Sequence, residues 1–129
     1  MQEKPAYEKR VVVEIREWFE KQIEIALNAG IKKEHIILDP GIGFGKTVDD
    51  NIAILKNIDE FKKLGLRTLL GVSRKSFINK ILDKKNPQDD AVTIGINTMI
   101  MLGGVDIIRV HAVKEHRDVI DLLHYVSLI

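Results

Sequence analysis

Apolar positions along this chain fall into two rhythms. In the first stretch Val12, Ile15, Phe19, Ile23 and Ala26 return at steps of three and four, the spacing that gathers side chains on one helix face. Glu8, Glu14, Glu17 and Lys21 take the other faces, and Gly30 stands where a left-handed residue would end the helix. Residues 1–6 precede the pattern and are expected to be poorly tied. Residues 36–38 are a short unbroken apolar run of the kind buried in a parallel sheet.

The alternation continues. Thr47 and Asp50 form a capping pair for a second helix, whose apolar stripe is Ile54, Leu55, Ile58 and Phe61 and which Gly65 closes. Residues 68–72 read as a second strand, followed by a short helix over Ser76–Leu82. A polar loop over residues 83–89, broken by Pro87, leads to a longer apolar helix over residues 91–102 that stops at Gly103-Gly104. Residues 107–110 are the third strand, and a final helix runs to about Tyr125.

Strands thus recur at intervals of roughly 35 residues with helices between them, which predicts α/β architecture made of parallel βα units with right-handed crossovers. Three strands cannot close a (β/α)8 barrel, which needs eight and typically about 250 residues. Residues 1–129 are therefore expected to form a single, incomplete domain that is part of a larger fold. Either the chain is a fragment, or it completes its sheet against another chain.

Composition narrows the partners. Apolar residues at 45% and charged residues at 30% describe a globular rather than a disordered chain. A net charge of +1 gives no reason to expect nucleic acid or an anionic membrane. The absence of cysteine excludes a disulfide framework and thiolate chemistry. The longest apolar runs fall short of a membrane span, and the first residues lack a signal-peptide layout, so a cytoplasmic protein is expected.

Chemistry concentrates after the first strand, in Asp39-Pro40-Gly41-Ile42-Gly43-Phe44-Gly45-Lys46-Thr47. Alternate glycines permit positive-φ turns and close approach to a ligand. Two phosphate-binding patterns nearly fit and fail. A P-loop needs a glycine where Pro40 stands, and the dinucleotide fingerprint needs one at Lys46. The stretch is then either an ordinary βα turn, with Asp39 capping backbone amides, or an acid followed by a ligand loop.

Polar residues also close the other strands: Ser73, Arg74 and Lys75 after the second, Arg109 and His111 at the third. Parallel βα units place these ends on one face, where ligands bind. Arg109 and His111, two apart on a strand, point to the same side. Arg74 and Lys75 precede a helix N-terminus, where the macrodipole disfavours cations, so their charge is expected to serve something else. The combination suits a ligand with a hydrogen-bond-donating ring for Asp39 and an anion for Arg109 and His111.

The segments Asp39-Pro40-Gly41-Ile42-Gly43-Phe44-Gly45-Lys46, Gly71-Val72-Ser73-Arg74-Lys75-Ser76-Phe77 and Ile108-Arg109-Val110-His111 resemble signature segments of dihydropteroate synthase, in that family's order and at about its spacings. The resemblance covers nearly all of this chain and about half of the family's barrel, namely the last three strands of a TIM (β/α)8 barrel with their helices. It implies a folate-pathway enzyme that condenses 6-hydroxymethyl-7,8-dihydropterin diphosphate with p-aminobenzoate, releasing diphosphate. By similarity, Asp39 binds the amino-pyrimidine edge of the pterin, Lys75 contacts its ring and Gly71 lines the slot. Gly43, Phe44 and Ser76 shape the p-aminobenzoate site where sulfonamides compete, Ser73 belongs to the same segment, and Arg109 and His111 hold the diphosphate. Asp39, Lys75, Arg109 and His111 are the expected catalytic set.

The resemblance also implies Mg²⁺, with its asparagine ligand outside this chain, and a homodimer through the last helices. No metal ligand is assigned here. The chain departs from the family at Ala112, where an Asp often follows the His, and in residues 88–93, which lack an Arg often found there. Other readings are a methyltetrahydrofolate methyltransferase, which shares the pterin pocket, and a non-catalytic assembly fragment. The 129-residue chain alone is expected to be inactive.

Overall fold

The computed structural model describes residues 3–83 and 89–129, with side chains from Arg10 onward. Met1, Gln2 and residues 84–88, with Pro87 and most of the expected polar loop, lie outside the described residues. The order is α1 (Glu3–Asn28), a 3-10 turn (Lys33–His35), β1 (Ile37–Leu38), α2 (Val48–Lys56), α3 (Ile58–Lys62) and β2 (Arg67–Leu70). There follow α4 (Ser76–Leu82), α5 (Asp90–Leu102), β3 (Ile107–Ile108) and α6 (Val113–Tyr125).

α1 begins earlier than its apolar stripe announces. Residues 3–6 are helical rather than loose, and Pro5 is tolerated because a helix's first turn has no use for its missing N–H. The other end is as expected. Gly30 has φ +92, its N–H donates to Leu27 O, and Ile31 N–H reaches back to Ala26 O, which is a Schellman closure. Val12 and Phe19 are buried, and Phe19 meets Phe61 edge-on with ring centroids 5.7 Å apart.

The predicted second helix is two. Thr47 and Asp50 form a reciprocal capping box, with Asp50 N–H on Thr47 Oγ1 at 3.1 Å and Thr47 N–H on Asp50 Oδ2 at 3.0 Å. At Asn57 (φ −124, ψ 30) the ladder breaks, because its Nδ2 donates to Ala53 O at 2.8 Å and competes with the backbone for that acceptor. The apolar stripe runs on into α3, where Phe61 is buried.

All strand pairs are parallel, in the order β1-β2-β3, with Ile37 opposite Arg67 and Leu70 opposite Ile108. The strands are shorter than expected, yet Arg109 N–H still donates to Leu70 O at 3.0 Å, one residue past β3. Leu38, Leu70, Val72, Ile54, Phe77 and Ile100 form the core between sheet and helices. Each outer strand pairs on one side only among the described residues, and Ile37 on β1 is 48% exposed.

Candidate active site

Every strand's carboxyl end delivers its polar residues to one rim. Asp39, directly after β1, folds its Oδ1 back to accept the Gly41 N–H at 2.9 Å, a local Asx turn. Its Oδ2 meets Arg109 Nη1, from the end of β3, at 3.2 Å. The two outer strands are therefore bridged across the middle one.

Gly71 makes that bridge sterically possible. A β-carbon on Gly71 would lie 2.7 Å from Arg109 Nη2, closer than atoms approach without something shifting. The guanidinium lies against this bare backbone, just beyond β2.

The glycine loop is stapled from several sides. Lys46 Nζ donates to Gly41 O at 2.9 Å and to Phe44 O at 3.2 Å. Asn51, in the first half of α2, accepts the Gly43 N–H at 2.9 Å and is 1% exposed. Gly41, Gly43 and Gly45 all have positive φ, which L side chains adopt only with strain. Lys75 reaches across from the second strand's end: its Nζ donates to Ile42 O at 2.6 Å and sits 4.2 Å from the Phe44 ring centroid. A cation over that ring face is attracted by its quadrupole.

Lys75 also explains Gly43, where a β-carbon would come within 2.9 Å of Lys75 Cδ. Partial burial pushes the Lys75 ammonium below the usual lysine range, and neighbouring Arg109 and Lys46 push the same way while Asp39 opposes them. The rim thus carries more cationic than anionic charge, which favours a ligand that brings negative charge of its own.

Ser73 and His111 form the remaining contact. Ser73 Oγ lies 2.8 Å from His111 Nδ1 and accepts the His111 backbone N–H at 3.3 Å. The loop after β2 and the segment after β3 are thereby joined. Phe44 is 67% exposed, and Ser76 is exposed at the first position of α4. The structure brings Asp39, Gly43, Phe44, Gly71, Ser73, Lys75, Arg109 and His111 to one rim, and Ser76 opens the helix beside it.

Arg74 serves something other than the helix it precedes, as expected, and that partner is on α5. It turns away from Lys75 and makes paired hydrogen bonds with Asp90 on α5, Nε to Oδ1 and Nη2 to Oδ2, both at 3.1 Å. Asn51 escaped the sequence reading altogether. Its signal was present: it stands three, four and seven residues before Ile54, Leu55 and Ile58, a polar residue on the apolar stripe.

The comparisons with known proteins agree with this geometry. Residues 1–111 match the family described as pterin binding enzyme, and the chain belongs to that family. Within it, the dihydropteroate synthase of Synechocystis sp. is 45% identical over 105 residues, 81% of this chain and 36% of that protein. The crystal structure of Thermus thermophilus dihydropteroate synthase in complex with 6HMPPP superposes with a TM-score of 0.83 at 34% identity. It covers 91% of this chain and 46% of that one. The same enzyme in complex with 4-aminobenzoate gives 0.83 and 34%, covering 91% and 47% of the two chains. This chain spans less than half the length of each of these proteins.

Proposed function

We propose that this chain provides the carboxyl-terminal βα units of a dihydropteroate synthase barrel, residues 1–129 forming one incomplete pterin-binding unit. The observation that carries the reading is the rim itself, with Asp39 on Arg109 at 3.2 Å, Lys75 over Phe44, and Ser73 on His111. The barrel reading is supported by the outer edge of β1, which has no strand partner among the described residues. A groove of about 440 Å³ runs beside that strand, lined by Trp18, Phe19, Ile23, Ile31 and Ile37, and parallel strands are otherwise covered on their faces.

In this reading Asp39 exchanges partners. Its carboxylate accepts N–H groups of the pterin's amino-pyrimidine edge, and Arg109, released from it, turns with His111 to the diphosphate. Lys75 lies along the pterin ring, Gly71 lines its slot, and Gly43, Phe44 and Ser76 bound the p-aminobenzoate side. As the arylamine nitrogen bonds to the pterin methylene, the C–O bond breaks and its electron pair leaves on diphosphate; the new ammonium then loses a proton. Preorganised positive charge favours that departing anion, and the Asp39 carboxylate favours the cationic methylene. Attack by the amine requires positioning rather than an activated nucleophile.

Magnesium belongs to this reading through an asparagine outside the chain. Among the described residues no group of three or more His, Cys, Asp or Glu could hold a metal ion. The relatives named above are synthases, which favours this reaction over the methyltransferase alternative. Cytoplasmic location goes with the same reading, and no described helix is long and apolar enough to cross a membrane.

A second copy of the chain is the proposed partner. The proposed contact is through the last helices, where Met99 and Leu102 on α5 are 58% and 51% exposed and Leu122 and Tyr125 on α6 are 62% and 88% exposed. Sedimentation velocity is expected to show a dimer that Met99→Lys dissociates; a monomeric parent protein contradicts this.

The function is tested by product formation from dihydropterin diphosphate and p-aminobenzoate, with and without the preceding barrel segment supplied in trans. Turnover only when both parts are present is expected, and Arg109→Ala in the assembled enzyme abolishes most of it. Robust turnover by the chain alone, or indifference to Arg109→Ala, overturns the assignment.

A further inference from the structure

Arg74 occupies a backbone position that favours glycine. Lys75 N–H closes a turn on Val72 O at 3.2 Å, and Arg74, the third residue of that turn, has φ +57. Turns with positive φ at this position normally carry Gly or Asn. A long L side chain persists there only where its surroundings over-determine it.

The surroundings here are Asp90. Its carboxylate receives both Arg74 hydrogen bonds, and both side chains are about two-thirds shielded from solvent, at 31% and 33% exposure. Asp90 lies in the first turn of α5, where a carboxylate also suits the helix's positive end. Its two carboxylate oxygens both accept from Arg74. Arg74 itself sits between Ser73, which holds His111, and Lys75, which holds Ile42 O and covers Phe44.

We propose that Arg74 is a positioning residue for Lys75: by its paired hydrogen bonds to Asp90 it pins the 72–75 turn to α5 in the left-handed form that sends Lys75 across to the glycine loop. The fork geometry of a guanidinium is what fixes orientation as well as distance. The importance of Lys75 for a pterin rests on the function proposed above; its placement by Arg74 does not.

The test separates backbone preference from tethering. Arg74→Gly keeps a residue content with φ +57 and removes the tether, while Asp90→Ala removes it from the α5 side without touching the turn. Lys75 is followed by NMR through the ring-current shift of its Cε protons and the titration of its ammonium, whose surrounding charges are Asp39, Arg109 and Lys46. Both variants are expected to lose the ring-current shift and to titrate upward toward the ordinary lysine value of 10.5, with circular dichroism unchanged. Arg74→Lys, which offers one contact instead of a fork, falls between. Unchanged Lys75 signals in folded Arg74→Gly and Asp90→Ala overturn the proposal. Failure of the unsubstituted protein to bind dihydropterin diphosphate, with these shifts still seen, counts against the function alone and leaves Arg74's role supported.

Discussion

The guanidinium of Arg109 rests on the bare backbone of Gly71, where a β-carbon would stand 2.7 Å from Nη2. Gly71 does not have a positive φ, so its lack of a side chain serves the arginine rather than the turn. Gly71→Ala is expected to push the guanidinium off the rim and break its 3.2 Å contact with Asp39. Displaced from the rim, the guanidinium no longer reaches the diphosphate, and since a hydrogen bond to a charged group contributes about 1.5–3 kcal/mol, diphosphate affinity should fall roughly tenfold or more. Calorimetric titration with inorganic diphosphate checks this; equal affinity in both proteins refutes it.

Asn51 holds the glycine loop from below through Gly43 N–H at 2.9 Å. Asn51→Leu removes that acceptor from a site only 1% exposed, and a donor left unsatisfied costs about 1–3 kcal/mol. Amide hydrogen exchange at Gly43 should accelerate by roughly tenfold or more, with unfolding at lower urea. Unchanged protection of Gly43 would show that the loop is held elsewhere.

His116 and Asn97 form a buried pair between α6 and α5, with Asn97 Nδ2 2.9 Å from His116 Nε2 and His116 Nδ1 2.7 Å from Ala112 O. The carbonyl can only accept, so Nδ1 donates to it and Nε2 accepts from Asn97. Asn97 Oδ1 is left buried without a partner among the described residues. His116→Phe strands the rest of that amide and is expected to cost about 1–3 kcal/mol. Pairing it with Asn97→Leu should recover much of the loss, since replacing both polar partners is far cheaper than removing one. Urea denaturation of the single and double variants reads the difference, and a double variant less stable than the single contradicts it.

Acid should loosen the tether between the second strand's loop and α5. The hydrogen bonds from Arg74, opposed by partial burial and reinforced by Arg74's charge, hold Asp90 below the ordinary value of 3.8. A depressed folded value means the stabilisation is present above about pH 3.8 and is lost as pH falls through the lower folded value. Thermal unfolding followed from about pH 5 down to about pH 2 should therefore decline less steeply in Asp90→Asn than in the parent. Glu60, held low by Lys63 and Arg16, contributes to the decline in both proteins. Parallel curves would remove Asp90 from the account.

Helix faces were readable from apolar spacing because burial follows periodicity: Val12, Phe19, Ile54 and Phe61 are all buried. Asp39, Lys75, Arg109 and His111 were readable because parallel βα order brings strand ends to one side. What stayed hidden depends on partners distant in sequence. The charge of Arg74 was expected to serve something other than the helix it precedes, but its partner Asp90, 16 residues on, could not be named from the sequence. Asn57 broke a helix whose apolar stripe ran through the break, because a side-chain bond to Ala53 O competes locally with the ladder. Strand ends were overestimated because apolar residues continue past the last ladder pair, as at Val72, which is buried beyond β2.

The central claim is that one rim receives the pterin and its diphosphate together. A ¹H–¹⁵N NMR titration of the chain with 6-hydroxymethyl-7,8-dihydropterin diphosphate tests it directly, since weak binding by an incomplete pocket still shifts local amides. The account predicts saturable shifts confined to residues 39–46, 71–76 and 109–111, abolished by Arg109→Ala. Shifts scattered elsewhere, or none at millimolar ligand, would contradict it.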